Sequence, residues 1–161
     1  MVPYPNSGEP VWRDLKGRLW RVEKEAWIET GIKGHAFRLL GAPDPDTGER
    51  RLAARLTDGG TVVAYPGLIL DGSSVPLLGR YLDNKVSGWP STVHDVVYEA
   101  IRTRHAPLDL RIVADALYRD MLREFGAWSI TANACYVGLR IFGASAASPD
   151  RGSEYSLRRA A

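Results

Sequence analysis

An α+β fold is predicted, with an N-terminal antiparallel β region followed by a three-helix part. Two observations carry it: apolar and polar residues alternate with a period of two through the first third of the chain, and a 3.6-residue period replaces that alternation after residue 90. Composition adds a third. A chain of 161 residues with 45% hydrophobic and 25% charged side chains has the make-up of one globular domain, residues 1–161, and not of a disordered, collagen-like or coiled-coil protein.

Residues 19–23, 26–29 and 35–40 alternate as half-buried strands with aromatic faces. Residues 42–48 (APDPDTG) carry turn chemistry, because proline fixes φ while aspartate and glycine accept turn geometries, so they separate two strands. Residues 51–56 and 61–65 flank Asp58-Gly59-Gly60, a hairpin signal. The β region thus spans residues 11–70. Residues 71–90 read as a structured loop, since DGSSVP does not continue a strand and residues 77–89 show no period. Pro90 and Ser91 then open a helix, Ser91 as its cap, with Val93, Val97, Ala100 and Ile101 on one side. Asp109 caps a second helix whose Leu110, Val113, Ala114, Leu117, Met121 and Phe125 follow the helical period, and Gly126 ends it. Ser129 caps a third, stopped by Gly143. The helical part spans residues 91–143, and residues 144–161 form a small, polar tail.

The 21 basic residues exceed the 19 acidic ones by a net charge of only +2 and are scattered, so no nucleic-acid partner is expected. One cysteine, Cys135, rules out an internal disulfide and a cysteine-based zinc cluster. No run approaches the ~18 apolar residues needed to cross a bilayer, and residues 1–8 lack both the basic start and the apolar run of a signal peptide.

Among the histidines, His94 stands in a suggestive setting, followed by Asp95 and, one turn on, by Tyr98. Adjacent helical positions point about 100° apart, so His94 and Asp95 are expected to serve different partners, as a base and a metal ligand would. The alternative is structural, with Asp95 favouring the helix N-terminus and His94 a satisfied polar residue. Asp115 interrupts the most apolar stretch of the second helix, and an unpaired buried carboxylate costs several kcal/mol. On an antiparallel helix hairpin, at about 1.5 Å per residue, His94 and Asp115 reach similar heights, so the pair can meet. Such a carboxylate fixes the imidazole tautomer and supports its cation during general-base catalysis. The alternative for Asp115 is a surface salt bridge to Arg111 or Arg119. Asp71, beside Gly72, is a candidate for a hard cation such as Ca²⁺, with a nearby carbonyl and Asp95, or else a local turn.

Residues 67–76 (GLILDGSSVP), then His94-Asp95-Val96-Val97-Tyr98, then Ala114-Asp115 and finally residues 136–143 (YVGLRIFG) resemble the phage-associated domain of unknown function 1353 over about residues 60–143. That resemblance implies a phage protein, in the virion or the host cytoplasm, with phage tail or virion proteins as partners, and it implies no activity. The helical motifs also resemble bacterial and fungal secreted phospholipases A2, which carry His-Asp-x-x-Tyr on one helix and an aspartate on the facing one. Residues 115–121 (DALYRDM) are similar to their second-helix pattern, and residues 136–143 echo their final segment. This resemblance implies His94 as the base that activates water, Asp115 as its orienting carboxylate and Tyr98 bonded to the aspartate network. It further implies Asp95 and Asp71 as Ca²⁺ ligands and a lipid-ester substrate. Those enzymes are disulfide-linked and mainly helical, whereas this chain has one cysteine and about sixty β-like residues. Two expectations follow: a Ca²⁺-dependent phospholipase-like hydrolase, or a non-catalytic virion or tail component on the same helical scaffold.

Overall fold

Alternation in the sequence becomes alternation of burial: strand β3 (Ala26–Glu29) turns Ala26 and Ile28 inward and Trp27 and Glu29 outward, as in a sheet with one wet face. The computed structural model describes residues 4–8, 11–14, 20–44, 46–70 and 84–149. They form an antiparallel β region of two sheets followed by three helices, the α+β fold expected from the sequence. In the larger sheet β3, β6 (Thr61–Ala64), β5 (Arg50–Leu56) and β4 (Phe37–Pro43) lie side by side in that order, with Ile28 opposite Val62 and Ala54 opposite Ala64. The β5–β6 hairpin turns through Asp58-Gly59-Gly60 as expected. Gly60 has φ +89° there, and a Cβ on it would stand 3.0 Å from the backbone of Ile32, so only glycine fits.

The smaller sheet is β1 (Trp12–Asp14), β2 (Trp20–Val22) and β7 (Ile69–Leu70), with β2 central. Along the outer edge of β3, Asn6 bridges Ile28, the Glu29 N–H donates to the Pro5 carbonyl at 2.8 Å and the Ser7 N–H to the Trp27 carbonyl at 2.9 Å. The N-terminal segment thereby covers backbone groups that an edge strand would leave open.

Helix α1 (Asn84–Arg102) begins earlier than expected: residues 84–90 are helix and not loop, Pro90 lies inside, and Ser91 is an interior residue and not a cap. Proline there removes one backbone donor, but Ser87, Trp89 and Pro90 are buried, and the Trp89 indole donates to the Gly8 carbonyl at 2.9 Å. Tertiary packing outweighs the local break. The rest of the expected loop, residues 71–83, lies outside the described residues.

Helix α2 (Leu110–Glu124) follows Asp109, which makes no side-chain capping bond, and ends before Gly126, whose φ of +104° completes the stop that the sequence signalled. Val113, expected on the inner face, is exposed, while Asp115 and Tyr118 are buried. Helix α3 (Ser129–Ala146) has Trp128, not Ser129, at its N-cap and runs through Gly143 without stopping. The tail accordingly starts later than expected, and residues 150–161 lie outside the described residues.

The main core joins Val22, Ile28, Leu39, Leu56 and Val62 of the sheets to Val93, Val97 and Ile101 of α1. A second cluster, Tyr118, Leu122, Ala132, Cys135 and Leu139, binds α2 to α3. Helix α1 is thus held between β4 and α2. Among the described residues no helix is long and apolar enough to cross a membrane.

Candidate active site

Asp115 is fully buried between the helices and gathers donors from each of them. The His94 Nε2 lies 3.1 Å from Asp115 Oδ1, and the Tyr98 hydroxyl donates to the same oxygen at 2.6 Å. From α3, Arg140 donates to Oδ2 at 2.8 Å, and Arg111 Nε stands 3.5 Å from Oδ2. The expected meeting of His94 and Asp115 across the hairpin is therefore present. The surface alternative for Asp115 is not, because the carboxylate meets Arg111 inside the protein.

Burial favours a neutral carboxyl, but hydrogen bonds from His94, Tyr98 and Arg140 reverse that and hold Asp115 below the usual range. An ionised carboxylate only accepts, so Nε2 carries the imidazole proton and Nδ1 is the basic atom of the neutral ring. Burial likewise pushes the His94 pKa down, and bonds to Asp115 and Asp95 more than offset it, leaving a net rise. The Tyr98 hydroxyl is pushed far up by burial and by Asp115, so it stays a donor.

His94 and Asp95 do not serve wholly separate partners: Asp95 Oδ1 comes within 3.7 Å of His94 Nδ1. A side chain's reach exceeds its Cβ direction, which is why the helical-wheel expectation failed here. The imidazole is walled by Tyr98, ring centroids 4.0 Å apart, and by Tyr118 at 5.2 Å.

Asp71 and Gly72 lie outside the described residues. Among the described residues no group of three or more His, Cys, Asp or Glu side chains is arranged to hold a metal, and beside Nδ1 they offer the Asp95 carboxylate. Ca²⁺ takes six to eight oxygens, so this donor set does not fit the ion by itself. Next to Asp95 runs a crevice of about 10 Å³, lined also by Leu39, Leu70, Glu99 and Arg102, about the room that one water needs. Arg102 forms a buried ion pair with Glu99 at 2.8 Å and donates to the Ala146 carbonyl at 2.8 Å, tying α1 to the end of α3.

The sequence reading singles out neither Arg140 as a partner of Asp115, nor Tyr118 as a wall, nor the reason for Gly143, and it offers Arg111 only as a surface partner, whereas Arg111 and Asp115 meet in the interior. A Cβ on Gly143 would lie 2.6 Å from the Tyr98 hydroxyl, so glycine there makes room for the hydroxyl that binds Asp115. The signals were present: Arg140 is the one charge in α3, and Gly143 interrupts a helix without ending it.

No family model, curated protein or solved structure matches this chain.

Proposed function

We propose that this chain is a phage-encoded, phospholipase A2-like hydrolase of ester bonds. The observation that supports it is the buried Asp115 carboxylate, which holds the His94 proton on Nε2 and leaves Nδ1 as the base. In the reaction, a water oxygen attacks the ester carbonyl carbon as its proton passes to Nδ1. Asp115 stabilises the imidazolium while Tyr98 and Arg140 keep Asp115 ionised. When the tetrahedral oxyanion collapses, the leaving alkoxide takes the proton back from Nδ1. Asp95, with Asp71 and a carbonyl near Gly72, would hold the proposed Ca²⁺, and the cation would supply positive charge to an oxyanion.

One observation favours a second reading: His94 is only 1% exposed, as befits a buried polar tie in a non-catalytic virion or tail component. Hydrolysis of a short-chain phospholipid, with and without Ca²⁺, separates the two. The hydrolase reading expects turnover by the wild type and its loss in His94→Ala and Asp115→Asn. It further expects Asp95→Asn to abolish both the Ca²⁺-induced rise in melting temperature and turnover. A wild type that neither cleaves ester nor responds to Ca²⁺ overturns it in favour of the scaffold.

A further inference from the structure

Helix α3 carries one charged residue, Arg140, and that side chain turns inward to Asp115. Its outer side exposes Ile130 by 81%, Val137 by 52% and Ile141 by 62%, with Trp128 at 81% and Phe142 at 66% beside them. Exposed apolar side chains gathered on one helix ordinarily mark a covered face. Ile130, Ala134, Val137 and Ile141 are spaced by four, three and four residues, which makes one straight stripe.

We infer that a second copy of this chain covers the stripe, the two α3 helices packing antiparallel about a two-fold axis between Ala134 and Val137. The spacing reads the same from either end. A two-fold therefore sets Ile130 of one copy against Ile141 of the other, Ala134 against Val137, and the Trp128 end against Phe142. Self-complementarity of this kind is what an isologous interface requires. The stripe bears no charge, so nothing on it selects an oppositely charged partner and nothing repels an identical one.

The area also suffices. With aromatic rings of 150–250 Å² each, the exposed side chains present on the order of 600 Å² per copy, and two copies bury about 1,200 Å², the lower end of specific interfaces. A lipid surface fits less well, because helices that lie on membranes back their apolar face with lysine and arginine, and α3 has only Arg140, already committed to Asp115.

Sedimentation equilibrium of the full chain over a wide concentration range tests this independently of any hydrolase activity. The wild type is expected to dimerise and Val137→Glu to be monomeric, with far-UV circular dichroism unchanged because the side chain is exposed. Ile130→Lys and Ile141→Glu singly are expected to weaken the dimer. Placed in one chain they are expected to restore it, since the two-fold pairs position 130 with 141. A wild type monomeric at every concentration overturns the inference, as does a double variant no better than the singles. Flotation with anionic vesicles that Val137→Glu abolishes, without dimerisation, assigns the face to a membrane instead.

Discussion

Helix α1 carries His94, Asp95, Glu99 and Arg102 and is buried from Trp89 through Arg102, whereas α3 carries Arg140 alone and leaves Ile130, Val137, Ile141 and Phe142 exposed. Hydropathy would have placed them the other way round. In α1 the polar groups find partners on other elements: His94 and Tyr98 on α2, Arg102 on the end of α3. Burial is tolerated where such groups are satisfied, and an apolar face stays exposed where none of the described residues covers it.

The largest break in that comparison comes from emptying the hub. Asp115→Ala leaves His94, Tyr98 and Arg140 without their shared acceptor, and removing one side of a buried charged pair costs about 3–5 kcal/mol. Denaturant titration is expected to show a large fall in midpoint. An unchanged midpoint would mean that α1 does not depend on Asp115 for its burial.

Gly143→Ala acts on the same network from α3. The added methyl meets the Tyr98 hydroxyl at 2.6 Å, and overpacking of this kind costs about 1–3 kcal/mol. In a Tyr98→Phe background, where that hydroxyl is gone, the penalty is expected to shrink. Equal penalties in both backgrounds would sever the link between Gly143 and Tyr98.

A smaller change of opposite sign is expected at Ser91. Its Oγ is buried with no hydrogen-bond partner among the described residues, so Ser91→Ala is expected to relieve an unmet desolvation and stabilise the protein by about 1 kcal/mol. A clear loss of stability in thermal melts would show that the hydroxyl is bonded after all.

Legibility followed the range of the forces. The inward Ala26 and Ile28 of β3, the Asp58-Gly59-Gly60 hairpin and the α2 stop at Gly126 were readable, because alternation and turn chemistry are local. The His94–Asp115 pair was readable because one short hairpin joins its two helices and a carboxylate among apolar neighbours asks for a partner. Arg140 lies 25 residues from Asp115, and although it is the one charge in α3, that local signal does not say which carboxylate it meets. The start of α1 differs for a related reason: Pro90 is a local break, while Trp89 packs into the main core and bonds the Gly8 carbonyl 81 residues away, contacts that no local pattern shows. The strands β1 and β7 are two or three residues long, too short for a period to emerge.

The pKa of His94, followed by NMR of its ring in the wild type and in Asp115→Asn, tests most directly whether Asp115 makes a base of a buried imidazole. His94 faces Asp95 on its own helix, Asp115 and Tyr118 on α2, and the Tyr98 ring. Its folded-state pKa is raised above 6.5, so it contributes stability below pH 6.5 that is lost as the pH rises through the raised value. Asp115, held below 3.8, contributes stability above pH 3.8 that is lost as the pH falls through the lowered value. The expected result is a wild-type His94 titrating above 6.5 and a distinctly lower pKa in Asp115→Asn, where burial acts with only Asp95 against it. A wild-type value below 6.5, or one that Asp115→Asn leaves in place, would contradict the pairing as the source of the site's chemistry.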